Sequence, residues 1–456
     1  MRLKHLPVIF FLLLFFIAKI TNLGVRLSDT NIYFDVAYQI FQGKLIYRDF
    51  FYANFPVFPY ISSLYYFLVG KNLEFFYITS SLEVIAIASF IYYIMWDKTK
   101  NVLVSFLSSI IYIFSFIVLS TSDHQTGVFT ASLFAVLGYL FLHKKKFFLS
   151  GIFISLSFFT KAYFIPIVIS FFVYLFLQKN YKHTIRFVVA FILTGLAITL
   201  PFLFFAQEEF INDVFKFSLT RPTGILKSDV AWFFINKDFL LFVILVFNIL
   251  NFRKNIFFAL VSFFSIILFF LFQDVYYLYL NFVVPFLCLS FYELYTFGTE
   301  KLKFQKMIIP SVAIIFIIIS IYSYFSSYRD LQKIDGFGRI VQIIKNEQPK
   351  YLYGVDDITP ALLNTTNVLP LENVRDAHEY FFSKGILDKD FLTNKAIRSK
   401  TIIISHGAFY PYLNINEQIV DGIFNKKLVL KSCKLLESIP VKSEGATNRI
   451  NLFKCF

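Results

Sequence analysis

Long apolar runs separated by short polar breaks fill most of the chain. A helix needs about 20 largely apolar residues to cross a hydrocarbon layer ~30 Å thick. Runs of this kind fall at 6–23, 76–95, 102–120, 127–143, 147–160, 162–178, 187–206, 238–252, 256–273, 275–297 and 307–326. The pattern predicts an all-α polytopic membrane protein of about eleven transmembrane helices. The first run follows Arg2 and Lys4 as a signal peptide would, but Phe16-Ile17-Ala18-Lys19 offers no small-x-small cleavage site, so an uncleaved span is expected. Pro56 to Val69 (PVFPYISSLYYFLV) is apolar but short and contains two prolines. It is expected to lie at the outer interface, or dip into it, without crossing.

The pattern changes near Ser327. Charges become frequent and balanced, and long apolar runs stop. Tyr351–Val355, Thr401–Ser405, Leu428–Leu430 and Ile450–Phe453 read as strands, and Glu372–Lys384 and Asn416–Phe424 as helices. The expected organisation is a transmembrane domain over 1–326, with a large first outer loop at 24–75, followed by a small extracytoplasmic α/β domain over 327–456. Segments flanking Cys433 and Cys455 can pair as a terminal hairpin, which would allow a disulfide in a suitable register.

Composition sharpens the class. The chain is 57% hydrophobic, 21% aromatic and only 16% charged, with a mean hydropathy of +0.66. Such a chain is too oily for a water-soluble enzyme, and its 3 cysteines cannot build a metal or disulfide framework. The net charge of +14 would suggest nucleic acid in a soluble protein. Here the basic residues collect in loops at Lys98–Lys100, Lys144–Lys146, Lys179–Arg186, Arg253–Lys254 and Lys301–Lys306, whereas Asp29, Asp35, Asp49, Asp123, Glu208, Glu209, Asp213, Asp229 and Asp274 fall in the alternate loops. The positive-inside rule then puts the N-terminus in the cytoplasm and the acidic loops outside an inner (plasma) membrane. The bilayer, and no nucleic acid, is the expected partner of the charge. No P-loop, zincin motif, Gly-x-Ser-x-Gly elbow or Cys/His cluster occurs.

Candidate chemistry gathers in the acidic loops. Thr30 to Phe41 has helical periodicity, Gly43 stands where that helix would stop, and Asp29 precedes its first turn. Asp29 is therefore either an N-cap or a carboxylate held at a fixed point above the membrane. The residues Asp29, Tyr33, Ala37, Gly43, Tyr47, Arg48, Asp49, Phe50 and Pro56 resemble the first periplasmic loop of the C-type (GT-C) membrane glycosyltransferases, in particular the bacterial protein O-mannosyltransferase and lipid A aminoarabinose transferase superfamily. The pattern departs from the protein mannosyltransferases at Asp29-Thr30 and at Asn54-Phe55-Pro56, which leaves the acceptor open.

The resemblance implies a GT-C-like fold, a polyprenyl-phosphate-linked sugar as donor, an envelope acceptor (lipid, glycan or protein) and transfer outside the cytoplasmic membrane. It matches Asp29 to a catalytic carboxylate, with Asp123 of the second outer loop as a second acid, and makes Arg48, Asp49 and Tyr33 substrate-binding candidates. The chemistry fits, because a phosphate-activated sugar needs a base for the acceptor and a cation for the departing phosphate. Lys161 interrupts an apolar run (SGIFISLSFFTKAYFIPIVIS) and ends a stretch like the family's Gly-rich helix closing in Thr-Lys. A charge there is costly, so it either snorkels outward or serves a polar site, and it is the candidate for the donor phosphate. His124 is a candidate to position acceptor or metal, with Mg or Mn as a possible divalent cofactor. Arg221 is a candidate phosphate ligand on a lid, and Tyr279 lines either a sugar cavity or an interfacial aromatic belt. The alternatives are an envelope polysaccharide polymerase or ligase, and a lipid or sugar transporter.

Overall fold

The computed structural model describes residues 5–220, 226–272, 275–301, 307–331, 333–406, 423–441 and 448–456. Each expected run contains a helix: Leu6–Ile20, Leu73–Thr99, Val102–Phe114 with Phe116–Thr121, Val128–His143, Phe147–Thr160, Ile165–Leu177, Tyr181–Phe205, Phe239–Leu250, Ile256–Leu271, Val284–Thr296 and Ile308–Ser323. Among the described residues three helices are long and apolar enough to cross a membrane by themselves, Leu73–Thr99, Tyr181–Phe205 and Ile308–Tyr328. The pair Lys227–Lys237 and Phe239–Leu250, bent by 104°, adds a fourth if it counts as one span. Others, such as Phe147–Thr160 and Ile256–Leu271, are shorter apolar helices, so the eleven-span count is a proposal built on them.

The bundle is apolar outside and studded with small polar residues inside. Phe10, Leu13, Phe204, Phe205, Leu250 and Leu271 are exposed, whereas Ser105, Ser108, Ser109, Ser150 and Ser157 are buried. Apolar side chains gain nothing by leaving lipid, so helices in a bilayer associate through close packing and hydrogen bonds. Ser109 accordingly donates to the Ala88 carbonyl (2.9 Å). At Gly151 a Cβ would lie 2.3 Å from the Phe187 carbonyl oxygen, so only glycine lets these two helices meet.

The two ends of the bundle differ. At one end Asp97 accepts from Lys100 (3.1 Å), His143 (2.9 Å) and Lys144 (2.7 Å), and Lys98 bonds Glu293 (2.8 Å). The other end carries the first-loop helix Thr30–Phe41, the helix Val57–Val69 and the C-terminal domain. In Val57–Val69, Phe58 packs on Tyr33 near the start, and Lys71 just beyond the end bonds Asn367 of the C-terminal domain (2.7 Å). Leu64, Phe67 and Leu68 on this helix are exposed, as suits an interfacial helix.

The C-terminal domain holds a five-stranded sheet of β1 (Tyr351–Gly354), β2 (Leu369–Pro370), β3 (Thr401–Ser405), β4 (Cys433–Val441) and β5 (Asn448–Cys455), in the order β2-β1-β3-β5-β4. β1 pairs parallel with β2 and β3, and β5 pairs antiparallel with β3 and β4. Alternation divides its core. Leu352, Ile402, Ile404, Ile450 and Leu452 share a core with Phe34, Phe76 and Tyr77 of the membrane half, whereas Tyr353, Ile403 and Phe453 pack with Leu392, Ala396 and Val429. One face of the sheet is thus welded onto the first loop. Cys433 lies opposite Cys455 and the two form a disulfide.

Two sequence expectations need correction here. Leu428–Leu430 lies in a helix, Lys426–Ser432, because the Asn425 side chain accepts from the Leu428 amide (3.3 Å) and caps it; the strand starts at Cys433. The helix expected over Glu372–Lys384 is confined to His378–Ser383, because Glu372 turns its carboxylate to the Val374 amide and to His378. Of Asn416–Phe424, residues 416–422 lie outside the described residues, and Ile423 and Phe424 are buried in a turn.

Candidate active site

The helix Phe147–Thr160 breaks at Lys161, whose extended backbone (φ −145°, ψ 115°) leads through a short 3-10 turn into Ile165–Leu177. Lys161 is thereby set at the tip of a helical hairpin, facing the first loop. It is only 4% exposed, so it does not snorkel into water. Its ammonium donates to the Tyr33 hydroxyl (2.8 Å) and to Asn54 Oδ1 (3.3 Å), and lies 4.8 Å from the Tyr33 ring centroid. Tyr33 comes from the helix Thr30–Phe41, where i, i+3 and i+4 spacing puts Tyr33 and Val36 in one buried cluster while Phe34 and Ala37 serve the core under the sheet. Asn54 comes from the irregular segment before Val57–Val69, and its amide also donates to the Tyr33 hydroxyl (3.4 Å).

Tyr33 and Asn54 line a narrow cleft together with Phe50, Phe51, Tyr52 and, from the C-terminal domain, Asn373, Arg375 and Asp376. Arg375 anchors that edge through an ion pair with Asp35 (2.5 Å), and Asp35 also accepts from Gln39 (2.7 Å). Burial raises the Asp35 pKa, against the pull of Arg375. Two residues after Lys161, Tyr163 stacks on Tyr279 (4.6 Å between centroids). Burial, then Tyr52 and the carboxylates of Asp29 and Asp376, push the Tyr33 hydroxyl well above the ordinary phenol range. Tyr33 is therefore a neutral hydrogen-bonding group in a field set by two acids.

Asp29 occupies the N-cap position of Thr30–Phe41, but its carboxylate makes no capping bond, and its backbone carbonyl accepts from Ile32 and Tyr33 (3.0 and 3.1 Å). Asn31 and the helix behind it are buried, whereas Asp29 is exposed.

The structure gives Asp123 different surroundings. Its carboxylate lies 3.1 Å from Arg26 and 4.0 Å from Lys19, which outweigh burial and hold its pKa well below the usual range. Arg26 in turn donates to the carbonyls of Leu331 (2.6 Å) and Arg329 (2.8 Å), at the junction of bundle and sheet domain. Asp123 therefore serves a staple, not the cleft. His124 lies 3.9 Å from Asp123, and burial pushes its pKa down to about 4, so it is neutral. Arg48 and Asp49 pair with each other (2.8 Å) in a tight exposed turn where Tyr47 has φ +66°; Arg48 and the Leu45 amide hold Asp49 down at about 2. The buried residue of that turn is Tyr47, which bonds the Asn54 carbonyl (2.6 Å) and packs on Phe202 and Phe210. Arg221 and Asp274 lie outside the described residues. Among the described residues no group of three or more His, Cys, Asp or Glu side chains is placed to hold a metal ion, so no step is routed through the Mg or Mn considered above.

Sequence reasoning missed Asn54, Tyr52, Arg375 and Asp376, which reach the cleft from irregular segments. It also missed Glu83, buried within Leu73–Thr99 and accepting from Tyr65 (2.7 Å) and Thr130 (2.5 Å). An acid inside an apolar run was the available signal.

No protein-family model matches the sequence, and no curated protein matches it either. Solved structures are similar in fold. ArnT from Cupriavidus metallidurans in the apo state superposes with a TM-score of 0.65 at 11% identity, covering 98% of this chain and 97% of that one. The chain has the ArnT fold. The same ArnT bound to undecaprenyl phosphate matches with a TM-score of 0.65 at 12% identity, over the same shares of the two chains. The fold named by the first-loop resemblance is therefore the fold observed, from the bundle through the sheet domain.

Proposed function

We propose that this protein is an integral membrane glycosyltransferase that moves a sugar from a polyprenyl-phosphate donor to an envelope acceptor on the outer face of the cytoplasmic membrane. The observation that carries it is Lys161, a buried cation bonded to Tyr33 and Asn54, which line the cleft, in a fold of which one solved example binds undecaprenyl phosphate. The acceptor oxygen attacks the anomeric carbon, and the bond from that carbon to the phosphate oxygen breaks. The acceptor proton passes to the carboxylate of Asp29, whose charge already acts on Tyr33 beside Lys161. Polyprenyl phosphate departs with the bonding electrons, and its added charge is neutralised by Lys161. Tyr33 and Asn54 fix the ammonium in place, so little reorganisation is required as charge develops.

The cytoplasmic loops are those at the basic end of the bundle, and the cleft and sheet domain face outward. The disulfide supports this side, because disulfides persist in oxidising compartments. Single cysteines at Gln42, Lys145 and Lys384, all exposed, would be labelled by an impermeant thiol reagent in intact cells at the first and third only. Transfer itself is tested by incubating the full-length protein in native membranes with polyprenyl-phosphate hexoses and pentoses and measuring released polyprenyl phosphate. Release that depends on Asp29 supports an enzyme; donor crossing the bilayer uncleaved would favour a transporter.

A further inference from the structure

The cleft above Lys161 has two walls of different origin. Phe50, Phe51 and Tyr52 come from the first loop, and Asn373 and Asp376 from the sheet domain. Phe51 is braced by Phe381 (5.0 Å between centroids). The second wall is held rigidly: His378 sits buried between Asp356 (2.5 Å) and Glu372, and Arg375 is pinned to Asp35. One group inside is unspent. Tyr52 is only 3% exposed, and its hydroxyl has no hydrogen-bond partner among the described residues. A buried polar group without a partner costs stability and calls for an explanation.

Aromatic faces flanked by an amide, a carboxylate and an orphan phenol suit a pyranose ring. Its C–H face would lie on the aromatic rings, and its hydroxyls would donate to Asp376 and exchange hydrogen bonds with Tyr52 and Asn373. Tyr33 and Asn54, the two partners of Lys161, also line this cleft. A sugar hydroxyl arriving along it reaches the place where the donor phosphate would lie. We propose that this cleft is the acceptor subsite and that the acceptor is a carbohydrate, with Tyr52 and Asp376 as its recognition groups. The proposal rests on the glycosyltransferase function above and names its acceptor class.

The test uses the full-length protein in nanodiscs with three sets of probes: defined oligosaccharides (neutral, N-acetylated and uronic-acid-bearing), Ser/Thr peptides, and undecaprenyl phosphate with its hexosyl derivative. Tyr52→Phe and Asp376→Asn are expected to weaken oligosaccharide binding each by about tenfold, leaving both undecaprenyl probes unchanged. Tyr52→Phe should also leave the melting temperature unchanged or raised, because it removes only the orphan hydroxyl. A purely structural role would lower it instead. Unaltered oligosaccharide affinity in both variants, retention of peptides alone, or a loss confined to the hexosyl derivative would each overturn the acceptor assignment. Failure of the wild type to bind undecaprenyl phosphate would instead overturn the donor reading and leave the oligosaccharide result to stand by itself.

Discussion

Lys19 and Lys161 are each 4% exposed, and each stands at the end of an apolar helix on the side of the bundle that carries the sheet domain. Their surroundings differ. Lys19 donates to the Leu119 carbonyl (2.5 Å) and the Tyr324 hydroxyl (3.0 Å), and lies 4.0 Å from Asp123, which also holds Arg26. These contacts join the first helix, the 115–127 segment and the last helix before the sheet domain. Lys161 instead bonds Tyr33 and Asn54, and both of these line the cleft. Burial of the charge is equally costly at the two places. At Lys19 a carboxylate, the Leu119 carbonyl and the Tyr324 hydroxyl offset it and hold three segments together. At Lys161 the bonds run to groups that a substrate can reach. Burial alone therefore does not distinguish a functional lysine; the position of its partners does.

The largest effect is expected at Asp29, whose charge acts on Tyr33 beside Lys161. The Asp29 carboxylate makes no capping bond, so Asp29→Asn, which keeps its size, should fold normally and bind donor, while the rate of transfer falls by about 10²- to 10⁴-fold. Single-turnover assays with preloaded donor would measure it, and near-normal turnover would remove Asp29 from the mechanism.

Next comes Lys161→Met, which keeps the apolar stem. Transfer should fall by about 10²- to 10³-fold and undecaprenyl phosphate should bind more weakly, with the melting temperature nearly unchanged. Lys19→Met should behave in the opposite way. It leaves part of a buried ionic staple unmatched, for which roughly 3–5 kcal/mol is typical, and yield and melting temperature should drop before any donor effect appears. A swap of these two phenotypes would invert the assignment.

A smaller effect is expected at the support of the cleft wall. Burial lowers the His378 pKa, but Asp356 and Glu372 outweigh it and raise the group to about 10, from an ordinary value of 6.5. A raised folded-state pKa means that its contribution to stability is fully present below about pH 6.5 and is lost as the pH climbs through about 10. Thermal melts at pH 6, 8 and 10 should show a decline that His378→Gln flattens. Equal pH dependence in the two proteins would mean that the imidazolium does not hold the wall.

Much of the scaffold was legible because it depends on local pattern. The apolar runs coincide with helices, Gly43 takes φ +83° just past the helix that ends at Phe41, and the short β-branched run at Thr401–Ser405 is a strand. Lys161 was visible as a charge within an apolar run, and Asp29 and Tyr33 through their resemblance to a known loop. The cleft was not legible, because its second wall lies more than 300 residues away in sequence, and Asp376 reads there as one charge among many in a balanced tail. Asp123 was assigned to the same chemistry as Asp29 because both are acids in outer loops. Its partner Arg26, 97 residues earlier, shows its role only once the chain is folded.

The most direct measurement concerns the donor. Full-length wild type, Asp29→Asn, Lys161→Met and Lys19→Met would be incubated in native membranes with a polyprenyl-phosphate sugar labelled in both the lipid and the sugar. The two labels would then be followed separately. In wild type the sugar label should pass to an envelope acceptor as the lipid label appears in free polyprenyl phosphate. Asp29→Asn should retain intact bound donor, Lys161→Met should retain little, and whatever Lys19→Met protein folds should still transfer. Donor that stays intact in wild type, or cleavage that proceeds equally in Asp29→Asn and Lys161→Met, would contradict a transfer reaction centred on this cleft.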